Sequence, residues 1–495
     1  MRRHREISSA AGDAYARASH PSASALCYLG MGLYLAWTVG NNIVRKAIGI
    51  RQIPSADFAQ MVCNMGASIV VLIVVLLCSR RIKTLLSRSR LQALAVLSLT
   101  GGTALMLAVL PLNAIGAGQF AALSVVCVGS LFRGLGSAFF FLMWNEVYAR
   151  MPLKRVSLWY SGSYLLSVIL HALLTYLPSI VAAWIVVALP LGSYGLFRQA
   201  LKEPEVEAHD ENPEAREWTF PVRPLVLIGL VTFVVFFCHH AVGDSSSAAD
   251  WVGGGLVAAV SLVLCLAWKN FSADQLEHVC VPLMVAGLLV WSVGGEGLSW
   301  AVVALTDAGN IAFRIFVLVM ACSICYRFKV PALWMFSIVR LVMLFSEMLA
   351  LGFGLWRDMS YGPLDVSEVQ VICAVLIFVL VVVASVSSHN PFIAGHSWAV
   401  LPKKAKGETR DEQLLSVMSK NELMVWKCAK VARAHGLTHR EEEVLSCLAN
   451  DMTNAQIQEA LFISVGTCNT HMRHIYEKLD VHSRKEAIDL VNSAV

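Results

Sequence analysis

The sequence predicts an all-α protein in two parts: a twelve-helix polytopic membrane bundle, built as six plus six, and then a small four-helix domain containing a helix-turn-helix. Three observations carry that prediction. Apolar runs of roughly 18–25 residues recur from Leu26 to about Ser385, matching the roughly 20 residues a helix needs to cross a bilayer. Lys and Arg concentrate in alternate loops between those runs. From His389 onward the chain turns polar and carries helix-start signals at short intervals.

Composition supports the first part. Of 495 residues, 57% are apolar and 15% charged, and the mean hydropathy is +0.63; a soluble domain carries about 25% charged residues. The net charge of +5 decides little. The thirteen cysteines lie mostly in apolar segments, where cysteine acts as a small hydrophobe. Cys322 and Cys325 form a CxxC with no second pair and are read as packing rather than as a metal or redox site. The first apolar run follows a polar stretch containing Arg2, Arg3, Arg5 and Arg17 and is too long for a signal-peptide core, so no cleavable signal is expected.

The expected spans are about 26–44, 59–78, 91–112, 119–144, 156–177, 180–197, 225–242, 251–268, 279–295, 299–326, 332–356 and 369–386. With the N-terminus inside, the inner loops hold Arg80, Arg81, Lys83, Arg88 and Arg90, then Arg150, Lys154 and Arg155. Further inner loops hold Arg198, Lys202, Arg216 and Arg223, then Lys269, and lastly Arg327 and Lys329. The outer loops hold Arg45, Lys46, Arg51 and Arg357. The asymmetry predicts a multi-pass cell-membrane protein with both termini in the cytoplasm.

An acidic stretch, 198–224, divides the spans six and six. Phe132-Arg133 in span four matches Phe313-Arg314 in span ten; each is followed by a helix end and a proline, Pro152 and Pro331. Ser157-Leu158-Trp159 and Ala332-Leu333-Trp334 then open spans five and eleven. The expected layout is a tail 1–25, a first half 26–197, a linker 198–224, a second half 225–386, a linker with a helix 387–436, and a terminal domain 437–495. Two six-helix halves related by an axis along the membrane normal resemble the major facilitator superfamily. That resemblance implies its fold for residues 26–386 and makes transport one candidate activity. Between spans two and three the segment Cys78-Ser79-Arg80-Arg81-Ile82-Lys83 has the family's basic cluster but lacks the Gly and Asp that precede it.

Ionisable residues occur inside spans: Arg133, His171, His239, His240, Asp307, Arg314, Arg340 and Glu347. Each charge at mid-bilayer costs about 2.5–3.5 kcal/mol or more, so such residues face the bundle interior or a wet cavity. Asp307 and Arg314, like Arg340 and Glu347, stand seven residues apart, a rise of about 10 Å, and are expected not to pair along one helix. Glu347 is expected opposite Arg314, and Arg133 without a carboxylate, facing Arg314 across the two-fold axis. Two readings stay open: a structural ion-pair network, and a central cavity whose arginines receive an anionic small molecule. Trp37 and Asn41, with Tyr34 and Asn42, line that cavity or simply pack. His239-His240 also admits a minor pH-sensing or metal reading.

In the tail a helix is expected over about 411–434, with Lys420, Lys427, Lys430 and Arg433 on one face, solvated or turned to phosphates or anionic lipid. Thr438 is a good N-cap, with Glu441 at the capping-box position. Leu437, Val444, Leu445 and Leu448 form an apolar stripe. A second helix starts at Thr453-Asn454, Phe462-Ile463-Ser464 is a turn, Ser464 caps a third helix to about Leu479, and Ser483-Arg484 opens a fourth.

Over residues 437–493 this pattern resembles the LuxR-type DNA-binding domain. The matches run Leu437-Thr438-x-Arg440-Glu441-x-Glu443-Val444-Leu445, Ile457, Leu461-Phe462-Ile463-Ser464, Gly466-Thr467, Thr470-His471, Ile475-Tyr476-x-Lys478-Leu479 and Ser483-Arg484-x-Glu486-Ala487. The resemblance implies that the third helix enters the major groove of double-stranded DNA and that a homodimer forms partly through the fourth. It places Asn469, Thr470 and Arg473 toward base edges, and Thr467, His471 and Lys478 with Thr453, Asn454 and Ser464 near phosphates. His439 stands where the family usually has Pro, Asn469 where it often has a basic residue, and Cys468 where it has Val. Asn can read adenine bidentately, so the sequence preference is expected to differ. From Leu437 on, acids outnumber Lys plus Arg, so affinity should depend on a dimer.

These readings predict a membrane-bound one-component transcription regulator in contact with membrane lipid, its signal entering through the membrane half, because 387–436 is too short for a receiver domain. With no nucleotide loop, metal-ligand cluster or nucleophile constellation in the sequence, neither catalysis nor a cofactor is expected. The alternatives are a major facilitator-type transporter with a DNA-binding regulatory tail, and a regulator whose spans only anchor it.

Overall fold

A computed structural model describes residues 23–49, 54–79, 82, 84–110, 119–203, 206, 222–242, 249–267, 274–294, 296–362, 365–388, 420–449, 452–461 and 463–493. The chain forms two compact units, with the spans in one and Leu401–Val495 in the other.

In the first unit a 3-10 turn, Ala23–Leu29, leads into α1 (Gly30–Ala47), α2 (Pro54–Cys78), α3 (Ser89–Leu107), α4 (Gln119–Tyr148), α5 (Leu153–Thr175) and α6 (Ser179–Ala200). The second half holds α7 (Val222–Val242), α8 (Ala249–Ala267), α9 (Asp274–Gly294), α10 (Ser299–Phe328), α11 (Ala332–Tyr361) and α12 (Val366–Ser388). Each expected span corresponds to one helix. Among the described residues, nine helices are long and apolar enough to cross a membrane; α8 and α9 carry shorter apolar stretches, and α1 is interrupted by Asn41, Asn42, Arg45 and Lys46. Three helices, α4, α10 and α11, reach 30 residues, past the ends the hydropathy suggested. In α4 the extension contains Asn145 and Glu146, polar but buried, which hydropathy reads as a stop and packing does not. Pro152 and Pro331 sit at the N-caps of α5 and α11 in extended backbone, since proline cannot continue the preceding helix.

The repeat glimpsed in sequence extends to the packing. In the first half α4 packs on α2 and α3, α1 on α5 and α6, and α3 on α6; in the second half α10 packs on α8 and α9, α7 on α11 and α12, and α9 on α12. Between halves α2 meets α11 and α5 meets α8, while α4 meets α11 and α5 meets α10. Adding six to every helix number, cyclically, maps this pattern onto itself, as an approximate two-fold axis requires. Close approach depends on small residues. A Cβ on Gly102 of α3 would lie 2.6 Å from the Gly129 carbonyl of α4, and one on Gly129 would lie 2.8 Å from the Gly102 carbonyl. Most of α10 is buried, whereas α12 is largely exposed, so α10 runs through the interior and its polar residues face protein or an internal space.

The second unit comprises α13 (Lys420–Ala434), α14 (His439–Ala449), α15 (Asn454–Leu461), α16 (Val465–Leu479) and α17 (Arg484–Ser493). Its core gathers Val444, Leu445 and Leu448 from α14, Ile457 from α15, Cys468, Ile475 and Leu479 from α16, and Ala487 and Val491 from α17. Cys428 and Val431 of α13 join them, with Met424 packed alongside. This core thus draws on five helices, not four. The sequence reading weighed the basic face of α13 and passed over the apolar stripe 424, 428, 431, which has helical spacing. Gly436, at φ +63°, ends α13, and the Leu437 N–H returns to the Ala432 carbonyl at 2.8 Å.

Candidate nucleic-acid interface and interior charge cluster

Helix α16 is amphipathic in the sense a groove-reading helix needs. Cys468, Ile475 and Leu479 are buried, with Met472 packed on the same core, while Thr467, Asn469, Thr470 and Arg473 are exposed and His471 half-buried. Ser464 caps the helix: its hydroxyl oxygen accepts from the Thr467 N–H at 3.1 Å. Thr470 is turned inward enough to donate to the Gly466 carbonyl at 2.9 Å, and Arg473 lies 3.7 Å from Glu477. Thr453 and Asn454 are exposed at the start of α15.

Three capping boxes set the helix starts. Glu441 accepts from the Thr438 N–H at 2.7 Å, Gln456 from the Thr453 N–H at 2.8 Å, and Glu486 from the His482 N–H at 2.8 Å while holding the Ser483 hydroxyl. The second and third were legible as Ser/Thr-x-x-Glu/Gln spacings that the sequence reading did not use.

Lys478 is exposed at the end of α16 and is also engaged on the domain itself. Its ammonium donates to Glu441 at 2.6 Å and to the Gly436 carbonyl at 3.2 Å, joining the end of α16 to the start of α14. His474 stands 3.6 Å from the other Glu441 oxygen. Burial raises the Glu441 carboxyl, but the Lys478 and Thr438 hydrogen bonds outweigh that and hold it at about 2. Glu441 itself is buried, at 3% exposure. On the basic face of α13, Lys427 donates to the Asn492 carbonyl of α17 and Lys430 lies over the Trp426 ring at 4.9 Å.

In the membrane unit Glu347 meets Arg314, as expected, while Arg340 and Asp307 take partners that were not expected. Glu347 receives both Arg314 and Arg340, each at 3.4 Å on Oε1. The seven-residue rise from Arg340 to Glu347 is spanned after all, by the combined reach of the two side chains. Arg314 also donates to Asn310 Oδ1 at 3.1 Å, and Tyr34 and Tyr164 neighbour these arginines. Arg340 lies over the Phe141 ring of α4 at 5.7 Å, so the cluster touches both halves. Asp307 turns to His239, 3.1 Å away, rather than to an arginine. His240 meets Asp358 at 3.0 Å.

Arg133, although matched in sequence to Arg314, is engaged elsewhere. It is 3% exposed, donates to Asn41 Oδ1 and toward the Met106 sulfur, and lies over the Trp37 ring at 5.0 Å. Among the described residues it contacts neither a carboxylate nor Arg314. Trp37 donates to Thr103 at 3.1 Å, and Gln60 to Asn41 at 3.3 Å, so these residues brace α1 against α2, α3 and α4. Glu146 accepts from the Leu85 N–H at 3.0 Å and from the Thr84 hydroxyl, closing the loop before α3. His171 is buried on α5. Cys322 and Cys325 are buried in α10.

The family described as "Bacterial regulatory proteins, luxR family" matches residues 435–491. Transcriptional regulatory protein LiaR of Bacillus subtilis is 47% identical over 51 residues, 10% of this chain and 24% of that protein. HTH-type transcriptional regulator MalT of Vibrio campbellii is 39% identical over 59 residues, 12% of this chain and 6% of that protein. The chain thus spans a small part of these relatives, confined to the domain built by α14–α17. The membrane unit is similar in fold to a bacterial homologue of the iron transporter ferroportin in its outward-facing state. The TM-score is 0.53 at 10% identity, covering 73% of this chain and 96% of that one. Helix count, cyclic packing and helix-turn-helix geometry agree with these likenesses: residues 435–491 form a LuxR-family helix-turn-helix domain, carried on a membrane-spanning helical unit with the fold of that transporter homologue.

Proposed function

We propose that this chain is a membrane-bound one-component transcription regulator. The membrane unit senses a small molecule, and the resulting change alters how two helix-turn-helix domains meet a two-fold-symmetric DNA site. The observation that carries the reading is a regulator domain on the same chain as a complete six-plus-six bundle with paired charges inside it. An anchor needs no such interior. Asn469, Thr470 and Arg473 read base edges; Thr453, Asn454, Ser464, Thr467 and His471 lie along phosphates. Lys478 acts from behind, holding α16 on α14. Both termini lie in the cytoplasm, and residues 437–495 form the DNA-binding domain with α13 as its brace.

A promoter reporter in cells, screened against candidate small molecules, tests the reading: a ligand response that needs both the bundle and Asn469 supports it. Reporters active only outside the cytoplasm should be silent when fused after Val495 or near Arg90 and active near Asp365. The runner-up, a transporter with a DNA-binding regulatory tail, rests on the fold likeness. It gains if membrane vesicles carrying the chain accumulate a solute that controls no promoter.

A further inference from the structure

We infer that Arg314 and Arg340 form a binding site for a small organic carboxylate, and that Glu347 is its built-in competitor. The inference rests on the sensing reading above and moves the anion site away from Arg133, which is sealed against Asn41, Met106 and Trp37.

Charge comes first. The cluster holds two guanidinium groups and one carboxylate, a net charge of +1 inside the bundle. A second carboxylate, Asp307, lies two turns away on α10 and is held by His239. A buried excess charge of this kind is costly until an anion joins it.

Geometry comes next. Both guanidiniums converge on the same oxygen of Glu347, each at 3.4 Å, beyond the 2.7–2.9 Å of a tight charge-assisted bond. Each guanidinium presents about five N–H donors, and their contacts here are Asn310, Glu347 and the neighbouring Tyr164 hydroxyl. The fork geometry that would accept a carboxylate bidentately is therefore largely unspent on both arginines.

Access is the third point. The Arg314 and Arg340 side chains are 25% and 23% exposed, while Glu347 is 5% exposed. Arg314 lies on the most buried of the long helices, with Phe313, Ile315 and Phe316 buried beside it, so the guanidinium is the accessible group on an otherwise enclosed stretch. Arg340 lies against the Phe141 ring of the other half. A carboxylate that reaches the accessible parts of the two guanidiniums meets both forks, with the more deeply buried Glu347 behind them. Bound there, it displaces Glu347 from one or both arginines and redraws the contacts among α10, α11 and α4.

The test uses the full chain purified in detergent. Thermal midpoints are read against sodium acetate, butyrate and benzoate, with chloride and phosphate at matched ionic strength. At least one carboxylate should raise the midpoint of the unsubstituted protein. Glu347→Gln should lower the half-effect concentration by about tenfold, because a competitor occupying the site nine-tenths of the time has been removed. Arg314→Lys and Arg340→Lys keep the charge without the fork and should each weaken the effect severalfold. Arg314→Gln and Arg340→Gln should abolish it. The inference is overturned if no carboxylate shifts either the unsubstituted protein or Glu347→Gln, if chloride or phosphate acts equally, or if the lysine variants respond undiminished. An unchanged half-effect concentration in Glu347→Gln removes the competitor role. Because DNA is absent, carboxylate binding without any promoter response would remove the sensing reading and leave the site standing.

Discussion

Two glutamates, each nearly buried and each held by two basic side chains, behave as opposites. In the helix-turn-helix domain Glu441 takes two short bonds on Oε2, from Lys478 at 2.6 Å and the Thr438 N–H at 2.7 Å, with His474 3.6 Å from Oε1. In the membrane unit Glu347 meets Arg314 and Arg340 only at 3.4 Å, on a single oxygen. The first arrangement is short and includes a backbone N–H, and it ties α16 to α14. The second is long and gathers two hungry guanidiniums on one atom. A buried carboxylate is a clamp when its hydrogen bonds are completed locally, and an exchangeable partner when its cations keep donors to spare.

The sharpest contrast comes from removing each carboxylate. Glu441→Ala in residues 401–495, which have their own core, should cost about 3 kcal/mol in urea unfolding. That is the low end for a broken buried pair, since Lys478 stays about a third exposed. Glu347→Gln should leave the amount of inserted full-length chain unchanged on membrane fractionation. Loss of inserted protein on Glu347→Gln would make the two glutamates alike.

Acid should separate them next. The folded carboxyl of Glu441 is depressed to about 2 from an ordinary 4.5, so its contribution is complete above about 4.5 and is lost as pH falls toward 2. The urea midpoint of residues 401–495 should fall over that window, and the fall should shrink in Glu441→Gln. An identical pH profile in the variant would mean that other carboxylates carry the acid sensitivity.

Smaller effects probe the reading face that the Glu441 clamp supports. Asn469→Ala should cost about 1–3 kcal/mol at particular base pairs and little elsewhere, measured by binding to a set of single-base operator variants. Equal loss on every variant would remove the base-reading role. Ser464→Ala should cost about 1 kcal/mol of domain stability by opening the cap of α16, with DNA preference retained.

What the sequence made legible follows from periodicity and local spacing. The twelve helices, the two prolines that open α5 and α11, and the Thr438–Glu441 box are short-range signals and stand as read. Which charge meets which is long-range, and only the pairing of Glu347 with Arg314 was legible. Arg133 and Arg314 occupy matching places in the repeat, yet α1 offers Asn41 to one, while Asn310 and Glu347 go to the other. Lys478 is an exposed helix cation, and its tie to Glu441, 37 residues away, was not legible. The role of α13 was missed for a different reason: its few apolar residues are diluted by lysines, and only the pocket left by α14 and α17 shows that they are enough.

One further consequence lies in how the chain is made. Helix α1, Gly30–Ala47, is not among the nine helices apolar enough to cross a membrane unaided. Its polar groups are answered by Gln60, Thr103, Arg133 and Ser137, the last 103 residues after Tyr34. During synthesis α1 therefore emerges before everything that makes it comfortable in lipid, and it must wait at the translocon or membrane surface until α4 has been made. A ribosome that stalls before α4 releases a nascent chain with an unsettled first span, open to quality-control proteases.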